Sequence, residues 1–311
     1  MAGTRQGFLK WWLRRFLHRA RRGLVKDPSP ARIRHDLALF DRMMQGRERY
    51  SLATPETVGP CTGAWLDAGG VDEGRVVLYL HGGAFVGESP AAHCSLLARL
   101  CRQSAARGFY LNYRLAPEHP YPAATDDCLA AYQHLLGQGV AAQRIVIAGD
   151  SAGGNLAAVT AMRIRDLGLP RPAGLVMISP VLDLTFSGDS IRRNDGIDAL
   201  FRACIVDALA PIYLPGGDVR DPYVSPLCGD VRGRPPSLLL VGSTEILLDD
   251  AARFSARADG CELLVWHDMP HVFPLLDRLE EAGAAVEAMA RFILQCVPGI
   301  AAKTGPGTLD G

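Results

Sequence analysis

The chain has 311 residues, of which 48% are apolar and 21% are charged, the composition of a packed globular protein, and this excludes wholesale disorder. Lys and Arg total 33, as do Asp and Glu, and this balance argues against a protein that binds the phosphates of nucleic acids. No apolar run approaches the roughly 18 residues that a membrane-spanning helix needs.

The eight cysteines are scattered along the sequence, without a Cys-x-x-Cys pair or a Cys/His cluster at zinc spacing. They are typical of free thiols in a reducing compartment, and no metal site is expected. A secretory signal is not expected either, because Lys10, Arg14 and Arg15 interrupt the apolar stretches near the N-terminus. The sequence therefore predicts a cytoplasmic protein.

The N-terminal segment is strongly basic. Residues 1–34 contain ten Lys or Arg and a single acidic residue, Asp27. Positions 7–24 have the periodicity of an amphipathic helix, with Trp12 and Phe16 on the apolar half of the helical wheel. A Pro-containing break at 27–30 follows, and a second helix is predicted at roughly 31–48.

From about residue 57, short apolar runs rich in β-branched residues alternate with stretches of helical periodicity. Apolar strands separated by helices are typical of a mostly parallel sheet covered on both faces, so the predicted class is α/β. Residues 184–227 are polar, helical around 198–210 and then rich in Gly and Pro, which predicts an insertion packed over the end of the sheet. The predicted strands are 76–80, 109–113, 144–148, 175–178, 237–241 and 261–266, and the predicted helices are 91–106, 125–137, 155–167, 249–258 and 280–296.

The sequence Gly-Asp-Ser-Ala-Gly at 149–153 lies between a predicted strand and a predicted helix. In this context the pattern predicts a nucleophile elbow, a sharp turn in which Ser151 adopts a strained backbone conformation. Glycines at 149 and 153 are needed because a Cβ there would collide with a neighbouring strand or helix. The turn projects the hydroxyl of Ser151 and directs the amide of Ala152, at a helix N-terminus, towards negative charge.

A second glycine-rich segment, His-Gly-Gly-Ala-Phe at 81–85, follows the first of these predicted strands. Paired glycines after a strand let backbone amides approach a ligand atom closely. This is also where an α/β-hydrolase completes its oxyanion hole. His81 is interpreted as a structural anchor of this loop rather than as a base.

Together with Tyr-Arg-Leu-Ala-Pro-Glu-His-Pro-Tyr-Pro-Ala-Ala at 113–124, these motifs resemble the bacterial hormone-sensitive-lipase-like esterases of the α/β-hydrolase fold. The resemblance covers roughly 55–295 and continues through motifs at 224–226, 235–236, 242–250 and 271–273. It implies a carboxylesterase that acts on short- to medium-chain acyl esters. It also implies an oxyanion hole formed by the amides of Gly83, Ala84 and Ala152, with Gly82 shaping the turn.

The chain departs from the family pattern at two positions. Ala84 stands where the family usually has a third glycine, and Glu245 stands where the family usually has Asp. Because alanine keeps its N–H group, the first departure is expected to alter the fit of the loop rather than to abolish function.

The resemblance also implies a division of the chain. The catalytic core is expected at 51–183 and 228–300. Residues 1–50 and 184–227 are expected to form two parts of a helical cap, the second inserted after the sixth strand of the fold. Residues 301–311 are expected to form a tail.

In this fold the catalytic acid and then the histidine follow the nucleophile along the chain, on loops after late strands. Glu245 lies just past a predicted strand and is the predicted acid. Asp249 and Asp250 are competing acids, but they open the next helix, where they stabilise its N-terminus. Because the Glu carboxylate reaches about 1.5 Å further than that of Asp, its loop is expected to lie further from the histidine.

Two histidines follow the last predicted strand. His267 directly abuts that strand, where the sheet would hold its side chain. His271 follows a turn at 268–270 that lifts it into a loop able to reach across the strand ends, so it is the predicted base; the alternative is a solvated loop histidine. Ester hydrolysis by Ser151, His271 and Glu245 through an acyl-enzyme needs no metal or organic cofactor.

Rival functions are weighed against the same residues. The sequences at 91–94 and 149–153 echo the His and Ser strings of trypsin-like proteases, but Ala152 splits the expected Ser-Gly-Gly and the alternation of strands and helices does not suit two β-barrels. A non-catalytic ligand receptor on this fold needs no base, so His271 favours an enzyme. The sequence leaves open hydrolysis of a lactone or an aryl amide by the same groups.

The basic helix has two interpretations. Residues 1–25 could make peripheral contact with anionic lipid, with Trp11, Trp12 and Phe16 at the interface. The resemblance instead implies a cap whose apolar face lines the substrate entrance, and this interpretation is preferred.

The oligomeric state is open, and a homo-oligomer is compatible with the sequence. Candidate walls of the substrate pocket, each of which could equally be a core aromatic, are Phe40, Phe85, Phe201 and Tyr213.

Overall fold

The computed structural model describes residues 7, 15, 17–19, 21–45, 48–70 and 74–299. The backbone of 21–26 is helical, but half of the predicted basic helix at 7–24 lies outside the described residues, as does the tail at 301–311. No helix in the described part of the chain combines the length and apolarity needed to cross a bilayer. The helices are α1 Pro30–Met44, α2 Pro90–Ser104, α3 Ala123–Gly137, α4 Ala152–Asp166, α5 Ser190–Arg193, α6 Ala203–Tyr213, α7 Leu248–Arg257 and α8 Glu280–Cys296.

The strands are β1 Ser51–Leu52, β2 Glu56–Val58, β3 Cys61–Asp67, β4 Arg75–Leu80, β5 Ala106–Asn112, β6 Ile145–Asp150, β7 Gly174–Ile178, β8 Ser237–Gly242 and β9 Cys261–Trp266. Within the described residues, these nine strands form one sheet in the order β1-β3-β5-β4-β6-β7-β8-β9, with β2 also paired to β3. In that order, every neighbouring pair from β5 to β9 is parallel, whereas β1, β2 and β5 each run antiparallel to β3. The predicted α/β class with a mostly parallel sheet is therefore confirmed.

The hydrophobic core lies on both faces of the sheet. In β4, Val76, Leu78 and Leu80 point to one face and Val77 and Tyr79 to the other, because successive strand side chains alternate. Helices α3, α4 and α7 cover the first face, and α2 and α8 cover the second. This two-sided cover explains why the central strands are apolar at nearly every position.

The three N-terminal strands, β1, β2 and β3, were not predicted from the sequence. β1 and β2 are only two and three residues long and are largely exposed, so they carry no apolar run. The insertion at 184–227, expected after the sixth strand, follows β7, the seventh strand in chain order.

The helix predicted at 198–210 begins later, at Ala203. The Asp198 carboxylate accepts hydrogen bonds from the amides of Leu200 and Phe201, which fixes a turn before the helix. The predicted helix at 31–48 is shorter too, since α1 ends at Met44.

The sheet brings distant parts of the sequence to one edge. Gly82 follows β4, Ser151 follows β6, Ser179 follows β7, Glu245 follows β8 and His271 follows β9. Since these strands are parallel, their carboxyl ends open towards the same side, where ligands bind in open α/β sheets.

Candidate active site

Ser151 occupies the turn between β6 and α4 with φ 53° and ψ −116°, a conformation that side chains other than glycine rarely adopt. Its amide donates to the carbonyl oxygen of Ile178 at 2.8 Å, which fixes the turn against β7. A Cβ at Gly149 or Gly153 would collide with the carbonyl oxygen of Leu80 in β4. The expected need for these two glycines is confirmed, and the hydroxyl of Ser151 projects from the sheet.

Three side chains predicted from the sequence lie in one hydrogen-bonded line. Nε2 of His271 is 2.9 Å from Oγ of Ser151, and Nδ1 of His271 is 2.8 Å from Oε2 of Glu245. Glu245 is fully buried and His271 is 9% exposed, so water competes little for either contact. His267, the other candidate base, is exposed.

The pKa of His271 is raised above its usual value of 6.5. Burial lowers this pKa, but the hydrogen bond and negative charge of Glu245 outweigh burial, with further contributions from Asp198 and Asp150. A carboxylate that stabilises the protonated imidazole is what a base needs when it removes a proton from a hydroxyl.

The buried carboxylate of Glu245 is held from its other side by two donors. Oε1 accepts hydrogen bonds from the amide of Gly242 and, at 2.7 Å, from the hydroxyl of Ser179. The same hydroxyl accepts from the amide of Val272 at 3.0 Å and so joins the acid to the loop that carries His271. Ser179 was not identified from the sequence, where its position directly after a predicted strand was the available signal.

The competing acids bind elsewhere. Asp249 accepts from the amide of Ser190 at 2.8 Å, and Asp250 accepts from the amides of Leu182 and Asp183. Both lie in the first turn of α7, as expected. The carboxylate of Asp249 ties the start of that helix to the insertion, and that of Asp250 ties it to the residues just before the insertion.

The loop after β4 has an unusual backbone. Gly83, Ala84 and Phe85 all have positive φ, at 128°, 58° and 61°. A Cβ at Gly82 would collide with Asp150, and a Cβ at Gly83 with the carbonyl of Gly87. Within the described residues, the amides of Gly83 and Ala84 have no backbone hydrogen-bond partner. These two N–H groups, with that of Ala152 at the start of α4, remain as donors for a ligand oxygen.

Asp150 connects the elbow to this loop. Its Oδ1 accepts from the amide of Gly82 at 3.0 Å and from the hydroxyl of Tyr79 at 2.8 Å, while Oδ2 is 3.5 Å from Nε2 of His93. Burial opposes ionisation of Asp150, but His93 and these hydrogen bonds outweigh burial, so its pKa lies below the usual value. A charged carboxylate therefore fixes the position of Gly82.

His81 is an anchor of the loop, as expected. It is fully buried and stacks on Tyr113 with ring centroids 4.2 Å apart, and its Nδ1 is 2.8 Å from the carbonyl oxygen of Gly82. Burial, followed by the charge of His93, lowers the pKa of His81 to about 3. With so low a pKa the ring is a poor proton acceptor, and in this position it holds the backbone of the loop in place.

A cavity of about 280 Å³ opens above Ser151 and His271. Its walls are mostly apolar and include residues between 17 and 40, residues between 200 and 209, and Val272, Leu275 and Leu276. Of the four aromatic residues considered as walls, Phe40 and Phe201 line the cavity, and Phe201 makes an edge-on contact with His271 at 4.8 Å. Phe85 and Tyr213 stack on each other and belong to the core.

Other groups with ligand or redox chemistry are dispersed. All eight cysteines are free thiols, and four of them are buried. Within the described residues, no three His, Cys, Asp or Glu side chains are grouped as metal ligands.

Comparison with known proteins supports this fold. Residues 77–275 match a family model described as the alpha/beta hydrolase fold. An acetyl-hydrolase of Streptomyces hygroscopicus is 40% identical over 242 residues, which are 76% of this chain and 81% of the relative. An esterase of Acinetobacter venetianus is 41% identical over 193 residues, 61% of this chain and 63% of that protein.

Among solved structures, an esterase from the bacterial hormone-sensitive lipase family superposes with a TM-score of 0.83 at 32% identity. The match covers 91% of this chain and 98% of that structure. The sequence and structure comparisons thus agree on the fold. The chain belongs to the α/β-hydrolase fold family and, within it, to the bacterial hormone-sensitive-lipase-like esterases.

Proposed function

We propose that this chain is a serine carboxylesterase that hydrolyses short- to medium-chain acyl esters, with Ser151 as nucleophile, His271 as base and Glu245 as acid. The observation that carries the proposal is the continuous contact from the Ser151 hydroxyl through the imidazole to a buried carboxylate. The esterase and acetyl-hydrolase names of the relatives support the same chemistry.

In the first half-reaction, Oγ of Ser151 attacks the ester carbonyl carbon as His271 takes the hydroxyl proton on Nε2. Glu245 holds the ring so that Nδ1 keeps its proton, and its charge stabilises the imidazolium. The carbonyl oxygen, now an oxyanion, accepts hydrogen bonds from the amides of Gly83, Ala84 and Ala152. Collapse of this intermediate breaks the ester C–O bond, and His271 gives its proton to the leaving alcohol.

In the second half-reaction, water replaces the alcohol. His271 removes a proton from the water as its oxygen attacks the acyl carbon, and the same three amides again bind the oxyanion. The bond to Oγ then breaks, Ser151 regains its proton from the imidazolium, and the carboxylic acid leaves. Bonds and protons balance without a further reactant.

The cavity walls support the division of the chain into core and cap. In this proposal 51–183 and 228–300 form the catalytic core, and the apolar walls from 17–40 and 200–209 belong to cap segments 1–50 and 184–227. An apolar cavity beside a reactive hydroxyl suits an acyl chain or an apolar alcohol. The cap should therefore set the chain-length preference.

Two other functions use the same groups. Lactone or aryl-amide hydrolysis needs the same nucleophile and base and differs in the leaving group. A ligand receptor needs only the cavity, and the base in contact with Ser151 argues against it.

A cytoplasmic location agrees with the eight free thiols. The proposal is also compatible with peripheral membrane contact through residues 1–25 and with formation of a homo-oligomer.

The test is a side-by-side assay of the purified chain on p-nitrophenyl esters of increasing acyl length, a p-nitroanilide and a lactone. We expect turnover of the esters with a preference for short to medium chains, and a loss of at least about 10³-fold in kcat for Ser151→Ala. Ser51→Ala, at an exposed serine of β1, is the matched control and should behave as the unmodified chain. Unchanged ester turnover in Ser151→Ala would overturn the proposal.

A further inference from the structure

The loop that carries Glu245 is bound along one side by the insertion. The hydroxyl of Ser190 donates to the carbonyl oxygen of Ile246 at 2.6 Å, and Nδ2 of Asn194 donates to that of Glu245 at 2.7 Å. The amide of Ile246 donates to Oδ2 of Asp198 at 2.9 Å. These three side chains of the insertion are spaced four residues apart and are all buried. They hold the backbone directly after the Glu245 side chain.

Asp198 differs from the other two because its second oxygen reaches the cavity wall. Oδ1 accepts from the amides of Leu200 at 2.8 Å and Phe201 at 3.0 Å. Leu200 and Phe201 both line the cavity, and the ring of Phe201 contacts the ring of His271 at 4.8 Å. One carboxylate thus joins the acid loop to the residues that touch the substrate cavity and the histidine.

The N-terminal segment meets the chain at the same residue. Nη1 of Arg21 donates to the backbone carbonyl oxygen of Asp198 at 2.6 Å and to that of Gly196 at 3.2 Å. Three distant parts of the chain therefore converge at Asp198: the basic N-terminal segment, the insertion and the acid loop.

We propose that Asp198 is a positioning residue of the reaction, which holds the acid loop against the cavity wall and so sets the orientation of Glu245 towards His271. The inference rests on the proposed function, because it assigns Asp198 a role only if Glu245 acts as the acid. Asp198 touches neither substrate nor reacting atoms and acts through the backbone of Ile246.

The electrostatics agree with this geometry. Burial raises the pKa of Asp198, although the amides of Phe201 and Ile246 and the nearby His271 act in the opposite direction. The carboxylates whose charge raises the pKa of His271 are Glu245, Asp198 and Asp150. Removing the charge of Asp198 therefore changes the titration of the base as well as the position of the acid.

The experiment compares Asp198→Asn with Asp195→Asn on p-nitrophenyl butyrate. Asp195 is the matched control, because it lies in the same segment and accepts from the amide of Ala203 and from Arg202, without a contact to the acid loop. For Asp198→Asn we expect kcat to fall roughly 10- to 100-fold with KM within about twofold, since small misplacement of a catalytic group costs this much. The acid limb of the pH profile, in which kcat/KM falls as the pH drops, should move to lower pH. The reason is that His271 loses a nearby negative charge that stabilises its protonated form. Asp195→Asn should leave kcat and the limb unchanged.

A second variant separates position from charge and guards against a failure to fold. Asn194→Ala removes the donor to the carbonyl of Glu245 and alters no charge, so kcat should fall without movement of the acid limb. Thermal unfolding of each variant verifies that the protein is folded. If Asp198→Asn does not fold, unchanged kcat in Asn194→Ala overturns the inference by itself.

The outcomes also distinguish this inference from the proposed function. Unchanged kcat and an unchanged limb in folded Asp198→Asn overturn the positioning role, while inactive Ser151→Ala leaves the esterase assignment standing. Full activity of Ser151→Ala removes both.

Discussion

The hydroxyl of Ser179 donates a 2.7 Å hydrogen bond to Oε1 of Glu245, the carboxylate oxygen that faces away from the histidine. Ser179 is fully buried and has φ 47°, so its backbone conformation is held by its surroundings. Together with the amide of Gly242, it fills the hydrogen-bonding capacity of an oxygen that would otherwise be buried without a partner.

Ser179→Ala and Ser179→Gly should both lower kcat by about tenfold, because a carboxylate with one donor fewer is less firmly oriented. The two variants share the lost hydroxyl and differ in their tolerance of positive φ. Steady-state kinetics on one ester checks the expectation. Full activity in either variant would show that the hydroxyl does not support the acid.

The rate should depend on pH through His271. Because its pKa is raised above 6.5 and only the neutral ring can accept the Ser151 proton, kcat/KM should fall as the pH drops through that raised pKa. In Glu245→Gln the supporting charge is lost, so the limb should move to lower pH and the maximal rate should fall. A limb that stays in place in Glu245→Gln would contradict the assignment of the acid.

The same shift affects stability. A raised pKa in the folded state means that folding favours the protonated ring, so this stabilisation is fully present below the unfolded value near pH 6.5. It is lost as the pH rises through the folded-state pKa. Between pH 6.5 and the raised folded-state pKa, the unfolding free energy of the unmodified chain should therefore fall relative to that of His271→Gln. Denaturant titrations of both proteins across this pH range measure the difference.

Substitution should be tolerated at Ala84 and damaging at Gly83. Ala84→Gly keeps the N–H group and relieves a positive φ of 58°, so kcat should stay within a few-fold and the unfolding midpoint should not fall. Gly83 has φ 128°, and in Gly83→Ala the added Cβ would collide with the carbonyl of Gly87. We therefore expect kcat to fall by about 10²–10³. Equal effects of the two changes would show that these amides do not bind the oxyanion.

Removal of residues 1–25 tests the N-terminal cap. Leu17 and Leu24 line the cavity, so the truncated chain should bind long acyl esters with a higher KM and hydrolyse the acetate ester at nearly the original kcat. Flotation with anionic liposomes at low and high salt is the complementary measurement. Salt-sensitive binding that is lost on truncation, with no change in chain-length preference, would favour the lipid anchor.

The core of the site could be predicted from the sequence because its signals are local. The glycines around Ser151 mark a turn that few other residues permit, and the turn before His271 separates it from His267. Strand 237–241 placed Glu245 near the same edge. Each of these inferences needed only neighbouring residues and the parallel sheet.

The supporting residues could not be predicted in this way. Ser179 meets an acid 66 residues further along the chain, and Asp198 meets an amide 48 residues away. Both contacts depend on how the insertion and the strand ends pack in three dimensions. The helical periodicity around 198–210 even favoured placing Asp198 inside a helix, whereas its side chain stabilises a turn.

The most direct test of the account is covalent labelling of the nucleophile. The purified chain is incubated with diethyl p-nitrophenyl phosphate, and the adduct is mapped by mass spectrometry. We predict one diethylphosphoryl group per chain, on Ser151, with parallel loss of esterase activity and no labelling of Ser151→Ala. An adduct on a different residue that accompanies the loss of activity would contradict the account.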